Sequence, residues 1–230
     1  MTSQLGAVLI AGGSSGLGAA TVRAVQRHGG TPLVIDIAPP AAGVAYRRAD
    51  LADTAAVEAA VAELAGSHSD PLNGVFTPAG VDSCGRLDRV PADDWERVIR
   101  VNLVGTAAVI RAALPYLPAR GGRIVTCAST LGIKAVSDAT AYCASKFGVV
   151  GFTRALAAEL AGEVGVTLLI PGGMDTPFFD DRDEQYKPPA DAKLNDPDTV
   201  AETVVFALRQ PPGSEIREIV VCSSEEPSWP

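Results

Sequence analysis

Three side chains near the middle of the chain have the types and spacing for moving a proton to or from an oxygen. Tyr142 and Lys146 stand four residues apart in a run, TAYCASKFGVVGFTRALAAEL, that reads as a helix. Four residues is one helical turn, so the phenol and the ammonium share a face. A free phenol titrates near ~10 and is a poor base at neutral pH, whereas an ammonium held close favours the phenolate and lowers that value. Tyr142 is therefore a candidate general acid/base. Ser129 follows a β-branched run at 124–126. A hydroxyl at a strand end can donate to a carbonyl oxygen as negative charge develops on it. Together the three suit carbonyl–alcohol interconversion.

A dinucleotide site is readable at the start of the chain. Residues 7–11 read as a buried parallel strand that runs into Gly12, Gly13, Ser14, Ser15, Gly16, Leu17 and Gly18, then a helix through about His28. Glycines let the backbone turn tightly and approach a pyrophosphate, while the helix N-terminus aims amide groups and a positive dipole at it. A second strand over 32–37 carries Asp36, eighteen residues beyond Gly18 (36 − 18 = 18). A carboxylate there accepts from both ribose hydroxyls and repels a 2′-phosphate, which favours NAD over NADP.

With these features in order, the sequence resembles the short-chain dehydrogenase/reductase family. Ser129 precedes the motif YCASK at 142–146 by the family's thirteen positions (142 − 129 = 13), and Gly12-x-x-x-Gly16-x-Gly18 is the family's glycine spacing, with Ala11 where Thr is usual. The resemblance implies an NAD-dependent dehydrogenase or reductase acting on a secondary alcohol or ketone. Tyr142 would exchange the proton and Ser129 polarise the substrate oxygen. Lys146 would lower the phenol and bind the nicotinamide ribose. Asn102, in VNLVG, matches a fourth catalytic position. Asn suits a helix interior poorly, and in the family it accompanies a helix distortion holding a water connected to the Lys. The resemblance also gives cofactor contacts to Gly12, Ser14, Ser15, Gly16 and Leu17, to Asp50 and Leu51 near the adenine, and to Ala79 and Gly80. In PGGMDT it adds Pro171, Gly172 and Thr176, the last holding the carboxamide. Asp50 reads equally well as a helix cap, a task Asp53 can also fill. One stretch departs from the family: Thr77-Pro78-Ala79-Gly80 replaces N-N-A-G, and Pro78 removes a backbone donor, so the cofactor-side loop should be altered.

The elements that must position these groups follow from the pattern. Strands are expected at 45–50, at 75–80 with its exit turn, and at 124–126, 166–170 and 218–222; helices are expected at 57–65, 93–117, 142–161 and 198–210. This alternation predicts an α/β, Rossmann-type doubly wound parallel sheet of about seven strands, with helices on both faces and ligand at the carboxyl ends of the strands. At 230 residues and 47% hydrophobic side chains, the chain fits one domain over 1–230. The polar, proline-bearing stretch 177–197 predicts a substrate lid, its charges on a solvated surface. Phe178, Phe179 and Tyr186 are its apolar contacts or its packing anchors. With no dense basic cluster there, a small or medium neutral hydroxy or keto compound is the expected substrate.

Composition narrows the partners. A formal net charge of −8 argues against nucleic acid and anionic membrane. No run of roughly 18 apolar residues occurs and no basic stretch precedes the first apolar run, so a cytoplasmic protein is expected. Cys84, Cys127, Cys143 and Cys222 are scattered, which suggests neither metal site nor disulfide framework, and His28 and His68 fall near helix ends. Small residues in excess on the helices 93–117 and 142–161, with the family's habit of pairing there, predict a homotetramer, with a dimer next. Two rivals remain. An NAD-binding regulatory or structural protein without turnover is motivated by the altered TPAG turn. A nucleotide-sugar epimerase or dehydratase would usually bring a larger C-terminal substrate domain.

Overall fold

A strand that is apolar at every position needs cover on both sides, and β1 (Ala7–Ala11) is buried at all five residues. Its side chains alternate between two cores: Ala7, Leu9 and Ala11 join one cluster, Val8 and Ile10 the other. The computed structural model describes residues 5–68 and 70–229. Residues 1–4, Ser69 and Pro230 lie outside the described residues.

The remaining strands are β2 (Thr31–Asp36), β3 (Ala45–Arg48), β4 (Leu72–Thr77), β5 (Arg123–Cys127), β6 (Gly165–Pro171) and β7 (Glu218–Val221). They form one seven-stranded sheet in the order β3-β2-β1-β4-β5-β6-β7, every pairing parallel. Helices α1 (Gly16–Arg27) and α6 (Pro197–Leu208) cover one face through Leu17, Val25, Val200 and Val204. On the other lie α2 (Thr54–Ser67), α4 (Thr106–Ala113) and α5 (Thr140–Glu159), through Val57, Val61, Val109 and Leu156. The chain runs outward from β1 to β3, then returns to β4 and builds the other way. The carboxyl ends of β1 and β4 therefore flank a crevice where the connections diverge.

Several boundaries differ from the sequence reading. The helix expected at 93–117 is broken: α3 (Ala92–Ile99) passes into a π-helical turn at Arg100–Gly105, which passes into α4. Helix α2 starts three residues before Val57, at Thr54, because the Asp53 carboxylate accepts the Ala56 N–H and caps it. Strand β3 ends two residues short of Asp50. The helical run Ala92–Tyr116 is long and apolar enough to cross a bilayer, and half of an apolar 18-residue part of it is buried inside the fold.

Candidate active site

The carboxyl end of β5 delivers Ser129, and the start of α5 delivers Tyr142 and Lys146, to one cleft. Its volume is ≈ 600 Å³, and it extends from Asp36 and Ile37 past the Gly12–Gly18 turn to the three catalytic candidates and Thr176. Tyr142 is 9% exposed and Lys146 2%. The Lys146 ammonium lies 5.5 Å from the Tyr142 ring centre and donates to the Cys127 carbonyl at 2.9 Å. Ser129 Oγ accepts the Leu131 N–H at 3.1 Å, which leaves its proton for another acceptor.

Electrostatically the phenol departs from the sequence expectation. Burial pushes the Tyr142 hydroxyl above the ordinary phenol value and the nearby Cys127 sulfur adds to this, while hydrogen bonding by Ser129 and the Arg182 charge pull it down. Burial likewise lowers Lys146, against the opposing pull of Cys127 and Asp82. The ammonium is occupied by a backbone carbonyl, and desolvation outweighs what was expected of it.

Asn102 sits in the π-helical turn and is 1% exposed. Its Oδ1 accepts the Val81 N–H at 2.8 Å, and its Nδ2 donates to the Val81 carbonyl at 2.9 Å and to Ser145 Oγ at 3.0 Å. Ser145 in turn donates to the Tyr142 carbonyl at 2.8 Å. Asn102 thus pins the loop after β4 to the catalytic helix. With those side-chain atoms engaged, a relay would have to use its backbone carbonyl, which already accepts the Thr106 hydroxyl at 2.8 Å.

The cofactor half of the cleft passes a steric test for a dinucleotide. Gly12 has φ +95°, and a Cβ there would meet Ala79 at 2.7 Å. A Cβ on Gly18 would stand 1.7 Å from the Gly12 carbonyl, so helix α1 can lie directly on the turn only with glycine. Ser15, Gly16 and Leu17 line the same wall, and Gly16 faces Thr176 across it. Asp36, half-buried, accepts the Ser14 N–H at 2.9 Å and the Ala38 N–H at 3.1 Å, and Ser14 Oγ donates to the Ala38 carbonyl. Asp50 is not a helix cap. It accepts the Ala52 N–H and pairs with Arg97 at 3.0 Å; burial opposes these contacts, which together hold its carboxyl below the usual range. Leu51, Ala79, Gly80, Pro171 and Gly172 also line the cleft. In the altered turn, the Thr77 hydroxyl is buried without a partner among the described residues.

Some lining groups escaped the sequence reading. The charges of 177–197 do not all face solvent: Arg182 turns inward to Asp82, while Lys187 pairs with Glu184. Phe178 contacts the Tyr142 ring at 5.6 Å, so it is both packing anchor and cleft wall. The C-terminal stretch also reaches the cleft, where Glu226 accepts the Gly173 N–H at 2.9 Å and Ser228 meets the Thr130 hydroxyl at 2.6 Å. Asp82 follows the Gly80 turn by two residues, which is a usable signal. Nothing local marks Glu226.

Comparison with known proteins gives concordant findings. Residues 6–187 match the family model described as short chain dehydrogenase. The chain is 33% identical over 206 residues to the short-chain dehydrogenase/reductase ABA4 of Pyricularia oryzae, covering 82% of this chain and 76% of that one. Among solved structures it is similar to levodione reductase, with 26% identity, TM-score 0.84 and coverage of 96% and 97% of the two chains. It is also similar to an actinorhodin polyketide ketoreductase with NADPH, at 28% identity, TM-score 0.79 and coverage of 96% and 98%.

Proposed function

The chain belongs to the short-chain dehydrogenase/reductase family, oxidoreductases that bind a nicotinamide cofactor, and from that premise we propose that it interconverts a secondary alcohol and a ketone with NAD. The observation that carries this reading is the burial of the Tyr142 phenol in one cleft with Ser129, a helical turn from Lys146. When bound, the nicotinamide supplies hydride to the carbonyl carbon or accepts it from the carbinol carbon. In the reduction, the Ser129 hydroxyl donates to the carbonyl oxygen and Tyr142 Oη passes its proton to that oxygen as the alcohol forms. In the oxidation, the phenolate takes the alcohol proton. Lys146, whose Nζ lies 5.5 Å from the Tyr142 ring centre and donates to the Cys127 carbonyl, is the residue that would hold the nicotinamide ribose. Asn102 positions α5, and Thr176 would hold the carboxamide. Phe178, packed on Tyr142, keeps water from the reacting oxygen.

NAD is preferred here over NADP because Asp36 would accept from the ribose hydroxyls and repel a 2′-phosphate, with Ile37 rather than a basic residue beside it. Similarity to a ketoreductase with NADPH makes this the point to measure. Asp36→Ala combined with Ile37→Arg should weaken NAD and admit NADP in a binding titration; a wild-type preference for NADP would refute the assignment. A neutral hydroxy or keto substrate, a cytoplasmic location and a homotetramer belong to the same reading. The test of the activity is a screen of secondary alcohols, polyols, hydroxysteroids and 3-ketoacyl thioesters followed by NADH absorbance.

A second reading, an NAD-binding regulatory protein without turnover, draws on the unpartnered Thr77 hydroxyl and Pro78 in the cofactor-side turn. A silent screen with intact NAD binding would favour it.

A further inference from the structure

Arg182 brings a cation from the 177–187 segment to the substrate end of the cleft, and that cation is masked. Its Nη2 donates to Asp82 Oδ2 at 2.6 Å, with side-chain exposures of 18% for the arginine and 5% for the aspartate. Nη1 donates to the Tyr186 carbonyl at 3.2 Å. The guanidinium carbon lies 5.0 Å from the centre of the Phe178 ring and 4.8 Å from that of Phe179, within cation–π range of both. Asp82 is equally committed: Oδ1 accepts the Ser83 N–H at 2.7 Å and Oδ2 also accepts the Cys84 thiol at 3.3 Å. Phe178, which Arg182 covers, packs on the Tyr142 ring. The pair therefore sits one aromatic ring away from the proton-transfer group.

The fork of Arg182 is only half used. Nε and Nη2 form the edge of a guanidinium that binds a carboxylate through two parallel hydrogen bonds. Asp82 takes Nη2, while Nε is buried without a partner among the described residues. An incoming carboxylate would find the charge of this edge already neutralised by Asp82, with Asp181 and Glu226 adding negative charge to the lining of the same cleft and Lys146 engaged with the Cys127 carbonyl. Repulsion and an occupied partner act in the same direction.

We propose that Asp82 and Arg182 determine the charge of the substrate: Asp82 masks a guanidinium that would otherwise bind carboxylates, and the site takes uncharged ketones and alcohols that lie against Phe178. The inference rests on the oxidoreductase reading above and deepens it. Neither residue touches the reacting oxygen, so both act as specificity determinants. Removing the mask has a structural cost that a ligand can reverse. Replacing Asp82 leaves a half-buried guanidinium with the Tyr186 carbonyl and two aromatic faces but no carboxylate, which destabilises the fold until another carboxylate arrives.

The experiment compares two ketones of one skeleton, acetophenone and 4-acetylbenzoate, at saturating NADH with wild type, Asp82→Asn, Arg182→Met and the double variant. Asp82→Asn should raise the kcat/KM ratio of the acid over the neutral ketone about tenfold or more, and the double variant should return it to the wild-type value. An unmoved or lowered ratio in Asp82→Asn overturns the proposal. A second readout needs no turnover: with NAD bound, benzoate should raise the melting temperature of Asp82→Asn more than benzamide does, and should not do so in wild type or the double variant. If Asp82→Asn does not fold, wild type decides. Tighter binding of benzamide than benzoate supports masking, and tighter binding of benzoate overturns it. Failure of wild type to reduce either ketone counts against the proposed reaction, while the melting comparison still decides the role of the pair.

Discussion

Tyr142, the proposed general acid/base, is held by its own fold in the acid form. Burial raises the phenol above its ordinary value, and Ser129 and Arg182 offset only part of the rise, so the resting enzyme carries a protonated Tyr142 at neutral pH. A raised value means that the phenolate appears at higher pH than on an exposed tyrosine. Alcohol oxidation, which needs the phenolate, should keep gaining in kcat/KM as pH rises up to and past the ordinary phenol value of ~10, while ketone reduction, which uses the phenol, should not. A flat oxidation profile up to that value would remove Tyr142 as the base. Tyr142→Phe should lower turnover in either direction by ~10²–10⁴-fold, with NAD affinity by titration left intact. The catalytic candidates are legible in the sequence because chemistry forces their spacing: one turn between Tyr142 and Lys146, one strand exit for Ser129. Arg182 is not. In DDRDEQYK its charge looks like any solvated loop charge, and what distinguishes it is a partner one hundred positions away at Asp82 (182 − 82 = 100).

At the scale of elements, the π-helical turn at Arg100–Gly105 shows what sequence periodicity can and cannot deliver. Residues 93–117 read as one helix because their apolar anchors keep a helical period, and a single wide turn barely disturbs that period. The sign of trouble was chemical: Asn102 in a helix interior, where its side chain competes for backbone hydrogen bonds. The structure gives that competition an outcome, since Asn102 spends its amide on the Val81 N–H and carbonyl and on Ser145. Asn102→Ala should therefore cost about 1–3 kcal/mol in urea unfolding, through the half-buried Val81 groups and the buried Ser145 hydroxyl that lose its amide. It should also lower kcat by loosening α5 beneath Tyr142. Unchanged stability would mean that water replaces the amide without loss and that the residue is not a structural pin. The start of α2 at Thr54 escaped notice for the opposite reason. Thr54, Ala55 and Ala56 carry no apolar period, and only the Asp53 cap marks the boundary.

At the scale of the molecule, the doubly wound parallel sheet was legible because strict alternation of strands and helices leaves few other arrangements, whereas the order of its strands comes from the structure. What sequence alone did not reveal is how distant segments share the cleft: 177–187 from beyond β6 and 223–229 from beyond β7 both close on residues that follow β4 and β5. The same outlook governs assembly. Val104 and Phe147 are 45% and 44% exposed, one in the π-helical turn and one on α5, and a Cβ added at Gly151 on α5 would meet nothing within 4 Å. Large apolar side chains beside an open glycine leave room for a second helix to approach closely and cover them. A four-chain assembly of the 23.6 kDa subunit is the expected state in multi-angle light scattering at micromolar concentration, with a dimer next. Phe147→Glu places a charge in that contact and should shift the mass toward smaller species while leaving the far-ultraviolet circular dichroism unchanged. A wild-type monomer would show that these side chains stay in water, and a variant that remains tetrameric would place the contact on another face.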